Sequence, residues 1–148
     1  MPNSDLLHSG ALQVIAPQIA AQIPNLNLLV LFGSRAKGTH SDRSDWDLAI
    51  LTSDKPDSPP TGWGEFELYE KLGQIFQISS DRIDLVKLNR CSPLLGYVIA
   101  REGKVLYESE PGLFIRFQLK AWKIYADTAK LRRYQAEYIR QGLERLKK

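Results

Sequence analysis

The segment at residues 31–50, LFGSRAKGTHSDRSDWDLAI, constrains the fold more than any other part of the chain. An apolar run with the composition of a buried strand ends at Gly33-Ser34, and ten mostly polar residues follow. A second strand-like run then begins with two aspartates, Asp45 and Asp47. Because residues two apart on a strand emerge on the same face, about 7 Å apart, these carboxylates lie side by side. The chain must therefore hold two acidic groups on one face of a sheet.

A divalent cation is the simplest reason for paired carboxylates. Neighbouring carboxylates raise at least one pKa unless a cation lies between them, and Mg²⁺ prefers oxygen ligands. Asp84, in the strand-like residues 81–89, supplies a third carboxylate if its strand lies beside the second strand. Three carboxylates can hold two metal ions about 3.5–4 Å apart, which suits in-line displacement at phosphorus. A plain charge at a strand edge is the alternative reading of Asp84.

Gly33 and Ser34 indicate a phosphate-binding bend next to the carboxylates. A strand that turns through Gly-Ser into a short helix directs backbone N–H groups and a hydroxyl towards one point. Glycine also lets the backbone approach a phosphate closely. Three cations follow and would add contacts to a triphosphate: Arg35, Lys37 and Arg43. Ordinary solvated loop side chains are the alternative for these three.

Hydrophobic periodicity predicts one domain in which helices and strands alternate. Strands are expected at residues 26–32, 45–53, 81–89 and 104–109. Helices are expected at residues 4–22, with a kink or split at Pro17, at 63–76, and from Pro93 to Gly103. Residues 54–62 read as a turn-rich loop. The short connection between the first two strands favours a mixed sheet with packed helices, because a parallel crossover needs a dozen or more residues.

The tail differs from the rest of the chain in charge. Residues 1–110 carry 10 Lys and Arg against 14 Asp and Glu, whereas residues 111–148 carry 10 against 3. We expect a core at 1–110 and a basic helical tail at 111–148, roughly 57 Å long if it is one helix at about 1.5 Å per residue. An apolar stripe from Phe114 to Leu131 is expected to pack on the core. The remainder of the tail is expected to contact a partner protein, with nucleic acid phosphates as the rival ligand.

Several features limit the protein class and the number of further sites. The longest apolar run has five residues, LLVLF, which is too short to span a bilayer, and no secretory signal precedes it. A cytoplasmic location is therefore predicted. The single cysteine, Cys91, is read as structural, and His40 as a solvated loop residue. Trp63 and Tyr69 are read as core residues, with adenine stacking as the alternative.

The motifs together carry a family resemblance. Gly33-Ser34, ten residues and then Asp45-Trp46-Asp47 resemble the GSx10DxD signature of the DNA polymerase β-like nucleotidyltransferase superfamily. The single domain and the run REGKVLYES are similar to the minimal nucleotidyltransferases. The tail FIRFQLKAWKIYADTAKLRRYQ is similar to the MntA-type antitoxins, which are paired with HEPN toxins. This resemblance implies an α+β nucleotidyltransferase fold: a mixed sheet, packed helices and a long C-terminal helix.

The resemblance also implies a protein AMP transferase. ATP would bind with its phosphates on Gly33 and Ser34, and Asp45, Asp47 and Asp84 would hold two Mg²⁺ ions. A tyrosine hydroxyl of a HEPN ribonuclease toxin would attack the α-phosphorus, pyrophosphate would leave, and the added AMP would neutralise the toxin. Two alternatives stay open: transfer to a small hydroxylated molecule such as an aminoglycoside or to an RNA end, and neutralisation by binding alone. Direct nucleic-acid binding is not expected, although a basic tail without base-reading features does not by itself decide between a protein and nucleic acid as its partner.

Overall fold

The computed structural model describes residues 9–53 and 62–147 of the 148-residue chain. The predicted loop at 54–62 lies almost wholly outside these ranges, as does the start of the first predicted helix. The described helices are α1 (Ser9–Gln22), α2 (Ser34–Lys37), α3 (Gly62–Phe76), α4 (Pro93–Glu102), α5 (Leu113–Asp127) and α6 (Ala129–Leu146). The strands are β1 (Leu26–Phe32), β2 (Trp46–Thr52), β3 (Ile83–Lys87) and β4 (Lys104–Glu108). A short 3₁₀ turn, Ser80–Arg82, leads into β3.

The four strands form one mixed sheet in the order β3-β2-β1-β4. Strand β1 pairs antiparallel with both β2 and β4, whereas β2 and β3 run parallel. The antiparallel β1–β2 pair accommodates the short connection through α2, and α3 lies in the longer crossover from β2 to β3. The predicted mixed sheet of an α+β fold is confirmed.

Helices cover both faces of the sheet. One core cluster joins α1 and α3 to the face that carries Leu29 and Leu48. The other joins α4 and α5 to the face that carries Val30 and Ala49. Since alternate residues of a strand point to opposite faces, a strand covered on both sides needs a nearly continuous apolar run, which β1 supplies.

The described helices largely follow the sequence prediction. Helix α1 continues through Pro17 without a split, and the exposed position of this proline keeps its ring out of the core. Helix α4 begins as expected, because the Ser92 hydroxyl accepts a hydrogen bond from the Leu95 N–H at 3.2 Å. No helix in the described ranges is long and apolar enough to cross a membrane.

The tail is divided into two helices at Thr128, so the reading of residues 111–148 as one continuous helix is wrong. Thr128 has φ −94° and ψ 3°, and its hydroxyl donates to the Ile124 carbonyl at 2.9 Å. The Arg132 guanidinium donates to the Tyr125 carbonyl at 2.8 Å and lies 3.5 Å from the centroid of the Tyr125 ring. These contacts satisfy the last carbonyls of α5, and α6 then forms the long C-terminal helix.

The tail packs on the core mainly through α5. Phe114 and Ala121 are buried as predicted, but Trp122 and Leu131 remain 44% and 57% exposed, so their assignment to the packed stripe is wrong. Helix α6 has no buried residue. Exposed apolar side chains therefore form a stripe on the outer side of α5 and another along α6.

Candidate active site

The parallel pairing of β2 with β3 brings two of the predicted aspartates together. Asp47 lies directly opposite Asp84 in the strand register. Residues that are paired across adjacent strands project from the same face of a sheet. The neighbouring Trp46 points to the opposite face, where it is buried in the core beside Ile83. The expectation that Asp84 shares a face with Asp47 is met.

Asp45 lies immediately before β2, at the end of the polar loop that follows α2. Its side chain is exposed, and it acts electrostatically on both Asp47 and Arg35. The third predicted carboxylate thus belongs to the same electrostatic cluster, although it comes from the loop end rather than from the strand itself.

The three carboxylates interact unfavourably in the absence of a cation. Burial raises the pKa of Asp47, and the nearby charges of Asp84 and Asp45 raise that pKa further. Within the described ranges, no Lys or Arg forms an ion pair with any of these three aspartates. Acidic oxygens that lack a neutralising partner are the donor set that Mg²⁺ prefers. The residues therefore fit a magnesium site.

The three aspartate side chains do not already form a metal-binding cluster. In the part of the chain that the structure describes, no three His, Cys, Asp or Glu side chains already converge as a metal-binding cluster. Asp47 and Asp84 are fixed opposite each other by the sheet, whereas Asp45 is on the loop side and exposed. Metal coordination by all three aspartates therefore requires their side chains to move closer together.

Gly33 brings the end of β1 into direct contact with Asp47. It has φ 74° and ψ −157°, a region that is essentially restricted to glycine. A Cβ atom at this position would lie 2.2 Å from the Asp47 Oδ2 atom. The Gly33 carbonyl accepts hydrogen bonds from the N–H groups of Ala36 and Lys37, which start α2 at Ser34. The predicted phosphate-binding bend and the carboxylates are therefore adjacent.

The three cations predicted to contact a triphosphate occupy different environments. Arg35 is buried, and its Nε and Nη2 atoms donate to the Ser44 carbonyl at 3.1 and 2.9 Å. Lys37 pairs with Glu102 of α4 at 3.2 Å, and Arg43 is exposed. Nucleotide contact by these residues stays a prediction, and the hydrogen bonds of Arg35 to the protein backbone leave it the least available of the three.

Sequence reasoning missed Arg82, which lies in the 3₁₀ turn before β3. Its Nη2 atom donates to the Ser44 carbonyl at 3.0 Å and also to the Asp42 carbonyl. The available signal was its place two residues before Asp84. Arg82 reaches the loop because β3 pairs with β2, and its spacing from Asp84 in the sequence does not indicate that pairing.

Among the other candidate residues, Tyr69 and Cys91 make contacts that fit a structural role. The Tyr69 hydroxyl accepts a hydrogen bond from the Leu85 N–H at 3.3 Å, and its ring packs against the core. Cys91 donates to the Leu88 carbonyl at 3.4 Å, and burial raises the pKa of its thiol. His40 is exposed, as expected of a loop residue, whereas the Trp63 side chain lies outside the described part of the structure.

Gly33→Ala is expected to damage the site through Asp47. The added methyl group collides with the Asp47 carboxylate, so Mg²⁺ with ATP should no longer raise the melting temperature as it does for the unchanged protein. Gly38→Ala is the control, because Gly38 also has a positive φ, 77°, but no atom lies within 4 Å of the position that its Cβ would occupy. Each variant should lose stability on the order of 1 kcal/mol from backbone strain. Equal retention of ligand stabilisation in both variants would contradict the contact.

Asp47→Asn is expected to raise the melting temperature of the metal-free protein. Because the pKa of Asp47 is raised in the folded state, the fold loses stability as pH rises from the ordinary aspartate pKa through the raised value, and the amide removes that loss. The gain should therefore be present at pH 7 and vanish at acidic pH. Asp81→Asn, at an exposed position in the 3₁₀ turn, serves as the control. A lower melting temperature for Asp47→Asn at pH 7 would refute the repulsion argument.

Comparison with known proteins agrees with this geometry. The family Polymerase beta, Nucleotidyltransferase matches residues 16–111. The protein adenylyltransferase MntA of Aphanizomenon flos-aquae is 37% identical over 137 residues, which is 90% of this chain and 91% of that protein. Two toxin–antitoxin structures contain similar chains. One, a crystal structure with AMP-PNP, has a TM-score of 0.66 and 26% identity, covering 89% of this chain and 98% of its own.

The other structure is the tri-AMPylated Shewanella oneidensis HEPN toxin in complex with MNT antitoxin. Its similar chain has a TM-score of 0.60 and 25% identity, and the match covers 86% of this chain and 98% of that one. The family match includes Gly33, Asp47 and Asp84, the residues that form the candidate site. The chain therefore belongs to the polymerase beta nucleotidyltransferase family and, within it, to the MntA protein adenylyltransferases.

Proposed function

We propose that this protein is an antitoxin that transfers AMP from ATP to a tyrosine hydroxyl of a cognate HEPN ribonuclease toxin and thereby neutralises it. The observation that carries the proposal is the pairing of Asp47 with Asp84 directly beside the Gly33 bend. The similar chain in the tri-AMPylated toxin complex supports a protein as the acceptor. The similar chain in the AMP-PNP complex supports ATP as the donor. We place this reaction in the cytoplasm.

Each group of the site has a place in this reaction. The Gly33-Ser34 bend binds the phosphates with its backbone N–H groups and the serine hydroxyl. The tyrosine oxygen attacks the α-phosphorus, the bond between that phosphorus and the bridging oxygen breaks, and pyrophosphate leaves. A phenol has a pKa near 10 and is mostly protonated at neutral pH, so its proton must be removed during attack. Asp84 is exposed at the edge strand of the sheet and accepts this proton.

Asp45, Asp47 and Asp84 would hold Mg²⁺. When bound there, Mg²⁺ would neutralise charge on the phosphates and favour ionisation of the attacking hydroxyl. The raised pKa of Asp47 supports this assignment, because it reflects burial of that carboxyl together with the nearby charges of Asp84 and Asp45. Arg35, Lys37 and Arg43 stay candidates for nucleotide contact, with Lys37 and Arg43 the more accessible.

The exposed apolar stripes on the tail are the proposed binding surface for the toxin. On α5 this surface consists of Ile115, Leu119 and Trp122, and on α6 of Leu131, Tyr134, Tyr138, Ile139, Leu143 and Leu146. A shallow groove lies between the α6 side chains of Tyr134, Gln135, Tyr138 and Ile139. Contiguous apolar surface with aromatic residues is typical of protein interfaces, whereas phosphate binding does not require it. The stripes therefore favour a protein partner over nucleic acid.

Transfer of label from α-³²P-ATP tests the proposed activity. The purified toxin should gain radioactive AMP on tyrosine in the presence of Mg²⁺. Asp45→Asn combined with Asp47→Asn should reduce the rate by about 10²-fold or more, since electrostatic stabilisation of the developing phosphate charge is lost. Asp127→Asn, at the exposed end of α5, is the control and should leave the rate unchanged.

The same assay separates the proposal from its alternatives. Label on an aminoglycoside or on an RNA end, with none on the toxin, would replace the protein acceptor by another one. Inhibition of the toxin by the double variant without any AMP transfer would show that binding alone suffices. Unreduced transfer by the double variant would remove the two-metal assignment.

A second experiment tests the toxin-binding surface. Tyr134→Ser combined with Tyr138→Ser should weaken toxin binding by about 10-fold or more, because large aromatic side chains dominate interface energies. The control is Arg133→Ser, since Arg133 lies on the opposite side of α6 from the apolar stripe. Titration calorimetry with toxin, and separately with ATP, measures both affinities. Equal weakening by the control variant, or loss of ATP binding together with toxin binding, would contradict the assigned surface.

A further inference from the structure

Two arginines from different elements converge on the loop that precedes the Asp45-Trp46-Asp47 segment. Residues 41–44 form a tight turn in which the Ser44 N–H donates to the Ser41 carbonyl at 3.1 Å and the Ser44 hydroxyl accepts from the Ser41 N–H at 3.0 Å. Three carbonyls of this turn accept hydrogen bonds from guanidinium groups. Arg35 binds those of Ser41 and Ser44, and Arg82 binds those of Asp42 and Ser44.

The Ser44 carbonyl is the point that both arginines share. Arg35 donates two hydrogen bonds to it, at 3.1 and 2.9 Å, and Arg82 donates one at 3.0 Å. The Arg35 guanidinium also lies 4.0 Å from the centroid of the Trp46 ring, two residues after Ser44. This contact also fixes the position of Arg35. The peptide bond between Ser44 and Asp45 is thereby held from two sides.

This arrangement brings two positively charged guanidinium groups close together, and their mutual repulsion requires an explanation. Burial lowers the pKa of Arg35, and the proximity of Arg82 lowers that pKa further, while Asp42 and Asp45 oppose the shift. Among the described residues, Arg35 is the one polar or charged side chain that is buried, at 8% exposure. One arginine is enough to donate to the Ser44 carbonyl. The role of the second, Arg82, is therefore best explained by its position at the start of β3.

Arg82 connects the loop to β3. It directly precedes Ile83, the residue paired with Trp46, and lies two residues before Asp84, the partner of Asp47. A hydrogen bond from Arg82 to the carbonyl before Asp45 therefore joins the entry of β2 to the entry of β3. This bond resists sliding of one strand against the other, and a slip by one residue would move Asp84 to the far face of the sheet.

We infer that Arg35 and Arg82 form a double clamp on the Ser44 carbonyl that holds Asp45 beside Asp47 and keeps Asp47 opposite Asp84. In this role both Arg82 and Arg35 are positioning residues that act through the backbone of the loop. Lysine is expected to replace Arg82 only in part, because its ammonium lies on a shorter side chain than the Nη2 atom that donates to the carbonyls of both Asp42 and Ser44. The inference rests on the proposed function only for its kinetic readout, since the clamp itself can be observed in the protein alone.

The test compares Arg82→Met, Arg82→Lys and the control Arg90→Met, which removes an exposed arginine beyond the other end of β3. In Arg82→Met, amide hydrogen exchange in residues 39–46 should increase while exchange in β1 and α4 stays unchanged. For AMP transfer, kcat should fall about 10- to 100-fold, because small displacements of reacting groups have effects of that size. KM for ATP should change less than about threefold if Arg82 does not touch the nucleotide. Arg82→Lys should recover only part of kcat, and Arg90→Met should match the unchanged protein.

Three outcomes would overturn the clamp. Unchanged exchange in residues 39–46 would show that Arg82 does not hold the loop. A raised KM for ATP with unchanged kcat would make Arg82 a nucleotide ligand, and full activity in Arg82→Lys would reduce its role to charge. If Arg82→Met does not fold, Arg82→Lys decides by the same exchange measurement. Increased exchange without any AMP transfer in the unchanged protein would leave the clamp intact and reject the proposed function instead.

Discussion

The parallel pairing of β2 with β3 is the constraint on which the site depends. It places Asp47 and Asp84 opposite each other on one face of the sheet, and burial together with the two neighbouring carboxylates raises the pKa of Asp47. Such repulsion would normally drive acidic side chains apart. Here the covered sheet holds the two strands, so the backbones of Asp47 and Asp84 cannot move apart without breaking the core on both faces. The fold therefore maintains an unfavourable group of charges that a divalent cation can neutralise.

The local half of the site was predictable because it depends on short-range chemistry. Gly33-Ser34, the ten-residue spacer and the Asp45–Asp47 spacing are all set by a strand, a bend and the two-residue period of the next strand. The same period also required Asp84 to share a face with Val86 rather than with Ile83 and Leu85. The sequence did not show which strand lies beside the strand that carries Asp84. Only the crossover through α3, which makes β3 parallel to β2, brings Asp84 to Asp47.

Tertiary contacts decide what local patterns leave open. Nucleotide contact by Arg35 stays a prediction, but burial over Trp46 and three hydrogen bonds to carbonyls give this α2 residue surroundings that its sequence position did not indicate. The tail has no proline or glycine near Thr128 that would indicate a break. Its division depends on hydrogen bonds from Thr128 and Arg132, whose residue types are common inside helices. Trp122 matched the apolar period of α5 but lies outside the face that α4 and the sheet cover.

The central claim is that Asp47 and Asp84 jointly bind a divalent ion beside the Gly33 bend. Anomalous X-ray scattering from crystals grown with Mn²⁺ and a non-hydrolysable ATP analogue locates such an ion without reference to activity. We expect a manganese peak within coordination distance of a carboxylate oxygen of each of the two aspartates, with the analogue's phosphates next to the backbone of Gly33. An ordered nucleotide whose manganese contacts neither carboxylate would contradict the account.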